Sequence, residues 1–135
     1  MNAVVDASVL VAALVDASPE GRWAESVASE GPLTAPELAL VEATNILRRL
    51  ELSGQVSPME TKAAQRDLLR LDIELCPFAP FSDRVWELRA NLTSYDAWYV
   101  ALAEAFDYPL LTLDRKLSKA GGTRCPVITP PVLDS

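Results

Sequence analysis

Histidine is absent from this sequence of 135 residues. With it go Ser-His-Asp triads, histidine-based RNA cleavage, zinc-peptidase helices and most transition-metal sites. Acid and base chemistry must therefore rest on carboxylates, lysine, tyrosine or a water activated by a metal. Cysteine is scarce. Cys76 and Cys125 stand alone in apolar surroundings, with no second cysteine at metal-binding spacing, and are expected to be free thiols. The five glycines, Gly21, Gly31, Gly54, Gly121 and Gly122, form neither a Walker loop nor a dinucleotide fingerprint, which argues against a nucleotide cofactor. No apolar run approaches the ~20 residues that span a bilayer. The N-terminus MNAVVDASVLVAAL has neither the basic flank nor the cleavage site of a signal peptide, so a soluble, cytoplasmic protein is expected.

Aromatic residues are few at 7%, while half of the chain is apolar, so the core must be mostly Val, Leu, Ile and Ala. A chain of this length is predicted to form one domain, residues 1–135. Positive charge is also short: 12 Lys and Arg against 19 Asp and Glu leave a net charge of −7. Nonspecific nucleic-acid binding depends on neutralising phosphates, so the balance argues against a plain nucleic-acid-binding module. It argues less against an enzyme, because divalent cations held by carboxylates present positive charge to a phosphate.

What is present alternates short apolar runs with helical patterns. Ala3-Val4-Val5 reads as a strand that stops at Asp6, followed by a helix over 7–15 and another over 19–29. Leu33-Thr34 is a short extended piece, and Pro36 is expected as the first residue of a long helix running towards Gly54. Ser57-Pro58-Met59-Glu60 caps a further helix to about Leu71, and DIELC (72–76) suits a strand near a sheet edge. Residues 82–91 are helical in pattern, as is the stretch from Thr93 through Phe106. Pro109 to Leu113 and Val127-Ile128 read as strands. Such alternation predicts an α/β fold with a mostly parallel sheet covered on both faces.

In open α/β sheets, sites form at the carboxyl ends of strands, where Asp6 and Asp114 fall. Asp96 lies in the first turn of its helix, and Glu42 sits in an apolar stripe with Leu38 before it and Ile46 after it. Each aspartate also has a purely structural reading, because Asp at a helix start accepts backbone N–H bonds worth roughly 0.5–2 kcal/mol. Glu42 fits that reading poorly, since a charge among apolar neighbours is seldom buried without a partner or a metal. Phosphodiester cleavage without histidine needs one or two hard cations held by such oxygens, and Mg2+ or Mn2+ suits them.

The segments VVDASVLVAAL, PELALVEATNILRRL and YDAWYVALAEAFDYPLLTLDRKL, in that order, resemble the PIN-domain family, in particular VapC-type ribonuclease toxins of bacterial toxin-antitoxin pairs. The likeness covers nearly the whole chain. By position it implies an acidic quartet of Asp6, Glu42, Asp96 and Asp114, with Asp6 and Asp96 as the direct metal ligands. It implies supporting roles for Ser8 and Thr112, with Asn45 one turn beyond Glu42. A three-layer α/β/α sandwich with sheet order 3-2-1-4-5, Mg2+-dependent endonuclease activity on structured RNA, a homodimer and a VapB-type antitoxin partner are further implications.

The mechanism expected from these residues is hydrolysis of a phosphodiester, with Asp6, Asp96 and Asp114 around the cation and Glu42 as an outer ligand or a base orienting water. Arg115, Lys116 and Lys119 are candidate contacts to the RNA backbone, with Arg48 and Arg49 a second pair. Two other readings compete. A phosphoacceptor signalling domain needs an acid at the end of a central strand, which DIELCPF does not supply. A non-catalytic interaction protein on the same scaffold would usually have lost an acid, and all four are present.

Overall fold

Side chains alternate across a strand, and in this chain both faces are apolar. In β1 (Ala3–Val5), Val4 packs into one core while Ala3 and Val5 pack into another. Ala35 and Leu33 of β2 (Leu33–Pro36) divide the same way, as do Leu110 and Leu111 of β4 (Leu110–Leu111). Two apolar faces require two covering layers. The structure, a computed structural model describing residues 2–132, supplies them. On the Val4 side lie α5 (Ser82–Glu87) and α6 (Ser94–Phe106). Buried residues of α1 (Ala7–Val15), α2 (Pro19–Ser29), α3 (Ala39–Leu52) and α4 (Pro58–Leu68) pack on the Val5 side.

With β3 (Ile73–Cys76) and β5 (Val127–Ile128), the sheet has five strands in the order β3-β2-β1-β4-β5, all paired in parallel. The α/β/α sandwich and the strand order agree with those the sequence led us to expect. So does the edge position of β3, whose Glu74 and Leu75 are exposed. Cys76 on that edge and Cys125, just before the opposite edge strand, are both free. Among the described residues, no helix is long and apolar enough to cross a membrane.

Pro36 is not the first residue of a helix. It is the last residue of β2, paired with Cys76, and the chain turns at Glu37 and Leu38 before α3 starts at Ala39. The strand tolerates a proline there because β1 pairs with β2 only as far as Thr34, so nothing on that side asks for its missing N–H. Two helices are shorter than their patterns suggested. Helix α4 stops at Leu68, and α5 stops at Glu87. Past α5, Asn91 N–H and Leu92 N–H both donate to Leu88 O, and Asn91 Nδ2 donates to Gly121 O, which draws the chain out of helical register.

Candidate active site

The end of β1 delivers Asp6, and the chain leaving β4 delivers Thr112 and Asp114 beside it. Asp6 occupies the N-cap position of α1, yet its carboxylate makes no capping hydrogen bond. Its Oδ2 instead accepts a bond of 2.8 Å from the Thr112 hydroxyl. Thr112 is fully buried, and its Oγ1 also accepts the Asp114 N–H at 3.0 Å, so one hydroxyl ties both aspartates together. Ser8 adds a second stitch: its Oγ accepts the Leu113 N–H at 3.3 Å. Asp114 does behave partly as a cap, with Oδ1 accepting the Lys116 N–H at 2.9 Å where the chain enters the 3₁₀ turn Leu117–Lys119.

Replacing Thr112 with valine keeps the buried shape and removes both bonds. The Thr112→Val protein should lose about 1–3 kcal/mol of stability, since two part-buried bonds, one of them to a carboxylate, are removed. Thermal melting measures this, and an unchanged melting temperature would show that the two bonds contribute nothing.

On α6, Thr93 is the cap, its hydroxyl accepting the Asp96 N–H at 3.2 Å. The backbone of Asp96 takes part in the cap, and its carboxylate, also hydrogen-bonded with Thr93, faces the charges of Asp6 and Asp114. Glu42 lies in the first turn of α3, half-buried, and its Oε1 accepts a bond of 2.9 Å from the Tyr99 hydroxyl. Tyr99 is a site residue the sequence reading missed. The available signal was its spacing, one turn past Asp96 on an otherwise small and apolar helix.

The acids feel one another. Burial raises the pKa of Asp6 against the opposing effects of the Thr112 hydroxyl and the nearby amides of Ser8 and Ala7. Glu42 is raised by burial and by the charges of Asp6 and Asp96, opposed by its bond from Tyr99. Asp96 is raised by burial, then by Asp6 and Asp114. No lysine or arginine offsets this repulsion at any of the three. The structure thus gathers all four acids into one field, oxygen donors with a deficit of positive charge. Among the described residues no three such side chains cluster tightly enough to hold a metal ion alone. Mg2+ does not demand that, because it commonly takes one or two carboxylates and keeps several waters. The donor chemistry and the uncompensated charge fit a hard divalent cation.

The other expected positions separate. Asn45 is exposed on α3, one turn past Glu42. Arg115 is engaged within the fold: its guanidinium donates to Thr129 Oγ1 at 3.1 Å and to the Pro130 carbonyl at 2.9 Å, pinning the C-terminal segment. Lys116 and Lys119 are exposed beyond Asp114, and Arg48 and Arg49 are exposed on the far part of α3.

Comparison with known proteins bears on the family and the fold. A PIN domain model matches residues 3–122. Ribonuclease VapC9 of Mycobacterium tuberculosis is 38% identical over 128 residues, covering 95% of this chain and 98% of its own length. Among solved structures, VapC20 of the same organism, described as a sarcin-ricin loop cleaving toxin, matches with a TM-score of 0.67 at 18% identity. The match covers 92% of this chain and 97% of that one. VapBC2 from Rickettsia felis, bound to a DNA fragment from its promoter, matches with a TM-score of 0.66 at 15% identity, over 96% and 98% of the two chains. At those identities the two structures speak for the fold, and the sequence relatives carry the finer kinship. The chain belongs to the PIN-domain family, on its VapC branch.

Proposed function

We propose that this chain is a divalent-metal-dependent endoribonuclease acting as the toxin of a toxin-antitoxin pair, with residues 1–135 as one cytoplasmic domain. The observation that carries the reading is the gathering of Asp6, Glu42 and Asp96, whose raised pKa values no lysine or arginine offsets, with the charge of Asp114 acting on Asp96, about the carboxyl ends of β1 and β4. Proteins hold like charges together at a stability cost where function requires it. Asp6 and Asp96 would bind the cation, Asp114 would complete the anionic wall, and Glu42 would orient the attacking water. Thr112 and Ser8 fix the first and last of these elements against each other. Mg2+, with Mn2+ as a substitute, supplies the positive charge that a phosphodiester needs and lowers the pKa of water.

The names of relatives support RNA as substrate, and the VapBC assembly supports a VapB-type antitoxin as partner. A groove of about 380 Å³ between α1 and α3, lined by Val11, Val15, Ile46, Leu50 and Leu113 and opening beside Ser8, suits the apolar tail of such a partner. A homodimer completes the proposal. The test is incubation of the purified protein with structured RNA and Mg2+ or Mn2+, followed by mapping of fragment ends. Discrete internal cuts are expected. Intact RNA under both metals across a broad RNA pool would overturn the reading.

A further inference from the structure

Tyr99 joins three of the four elements that carry the acids. It stands on α6 three residues after Asp96 and is 2% exposed, so its hydroxyl lies inside the protein. That hydroxyl reaches α3, where it donates to Glu42 Oε1 at 2.9 Å. The phenol oxygen also lies by the Ala7 amide, at the head of α1 and next to Asp6. A carboxylate oxygen can only accept, so the buried phenol is the donor in this pair. No other side-chain bond to Glu42 occurs among the described residues, which leaves Oε2 unengaged.

A glutamate side chain has three rotatable bonds, and one fixed oxygen removes much of that freedom. The neighbouring charges of Asp6 and Asp96 disfavour the ionised Glu42 carboxylate in this place. Tyr99 pulls the other way. We propose that Tyr99 is a positioning residue for Glu42: it clamps Oε1 against the repulsion of the other acids and so presents Oε2 to the cation or to the attacking water. The inference rests on the nuclease reading above and assigns a task to a side chain outside the acidic quartet.

Tyr99→Phe keeps the buried ring and deletes the clamp. Loss of a hydrogen bond to a charged group predicts a fall in kcat of about 10- to 100-fold. KM for RNA should move less than about threefold, because the substrate is not touched. Affinity for Mn2+ alone, read by electron paramagnetic resonance of the free ion, should weaken by about fivefold or more. A role through Glu42 also predicts that Tyr99→Phe has less than about a twofold effect on kcat in a Glu42→Gln background. A purely structural tyrosine gives a different pattern: a lower melting temperature with wild-type kcat and Mn2+ affinity, or losses that simply multiply in the double variant. Either would overturn the proposal. Rates are compared at a temperature where near-ultraviolet circular dichroism shows all variants folded. A wild-type protein that cuts no RNA would defeat the nuclease reading, while the Mn2+ measurement would still decide the part played by Tyr99.

Discussion

Chelation of divalent cations should bring RNA cleavage by this protein down to background, a fall of at least about 10³-fold, and added Mg2+ or Mn2+ should restore it. The chain has no histidine, and no lysine or arginine offsets the repulsion at Asp6, Glu42 or Asp96. Nothing else in the site can neutralise a phosphate that arrives among carboxylates already repelling one another. The measurement is a single-turnover assay with excess EDTA, using protein freed of contaminating nucleases. Undiminished cleavage in EDTA would sink the mechanism.

The same dependence has a signature in stability. Asp6, Glu42 and Asp96 have pKa values raised in the fold, so the folded protein keeps protons that the unfolded chain releases. These three groups therefore favour the folded state at acid pH, and their contribution falls as pH rises from about 4, the unfolded carboxylate range, through the raised values. Glu104 works in the opposite sense. Burial pushes it up, but the Arg84 guanidinium and Arg124, whose backbone N–H also donates to it, together outweigh that, and its lowered pKa gives stability that is lost on acidification. The informative quantity is thus the difference made by metal at each pH. Mg2+ competes with protons for the same oxygens, so its stabilising effect should be absent at low pH and grow across the window. At neutral pH and a Mg2+ concentration about 100 times its dissociation constant, about 2.7 kcal/mol corresponds to roughly 10 °C in Tm. A Mg2+ effect independent of pH would mean that the ion binds elsewhere.

How much of this was legible beforehand differs from residue to residue. Asp6 and Asp114 were readable because strand ends are where α/β sheets expose polar groups, and an acid there shows in a single sequence. Glu42 was readable as a charge out of place in an apolar stripe. Asp96 was ambiguous, because a first-turn aspartate looks the same whether its carboxylate caps or not. The pattern Thr93 to Asp96 already suggests a capping box, and the geometry bears out its Thr93 half, the hydroxyl accepting the Asp96 N–H. Pro36 misled because proline fits both a first helical turn and a strand end with one free side, and the choice depends on where β1 stops pairing. Tyr99 was invisible for a related reason: its partner lies 57 residues away, and a buried phenol announces that it needs an acceptor without saying which one. Arg115 was expected as a contact to the RNA backbone, and its bonds to Thr129 and Pro130 within the fold had no signal in the sequence. The strand order came from the family likeness, since alternation alone allows several orders for five parallel strands.

Asp96→Asn should cost cleavage about 10²- to 10⁴-fold and leave the metal-free protein as stable as the wild type or more so. The two effects have one origin. Asp96 faces the charges of Asp6 and Asp114 in a half-buried place, and its raised pKa means that the fold disfavours its ionised form on balance. Removing that charge relieves the repulsion. The helix dipole favours an anion near the start of α6 by about 0.3–1 kcal/mol, which offsets part of that relief. The cap is untouched, because Thr93 bonds the backbone N–H that asparagine also has. With the charge gone, Mg2+ binding weakens and the working enzyme loses a ligand. Asp6→Asn should behave alike in cleavage, but its carboxylate accepts the Thr112 hydroxyl, so its stability gain should be smaller. Metal-free melting, Mg2+ titration and single-turnover cleavage belong on one preparation. An Asp96→Asn protein that melts earlier without metal and still cuts RNA at the wild-type rate would make Asp96 a structural residue and dissolve the quartet.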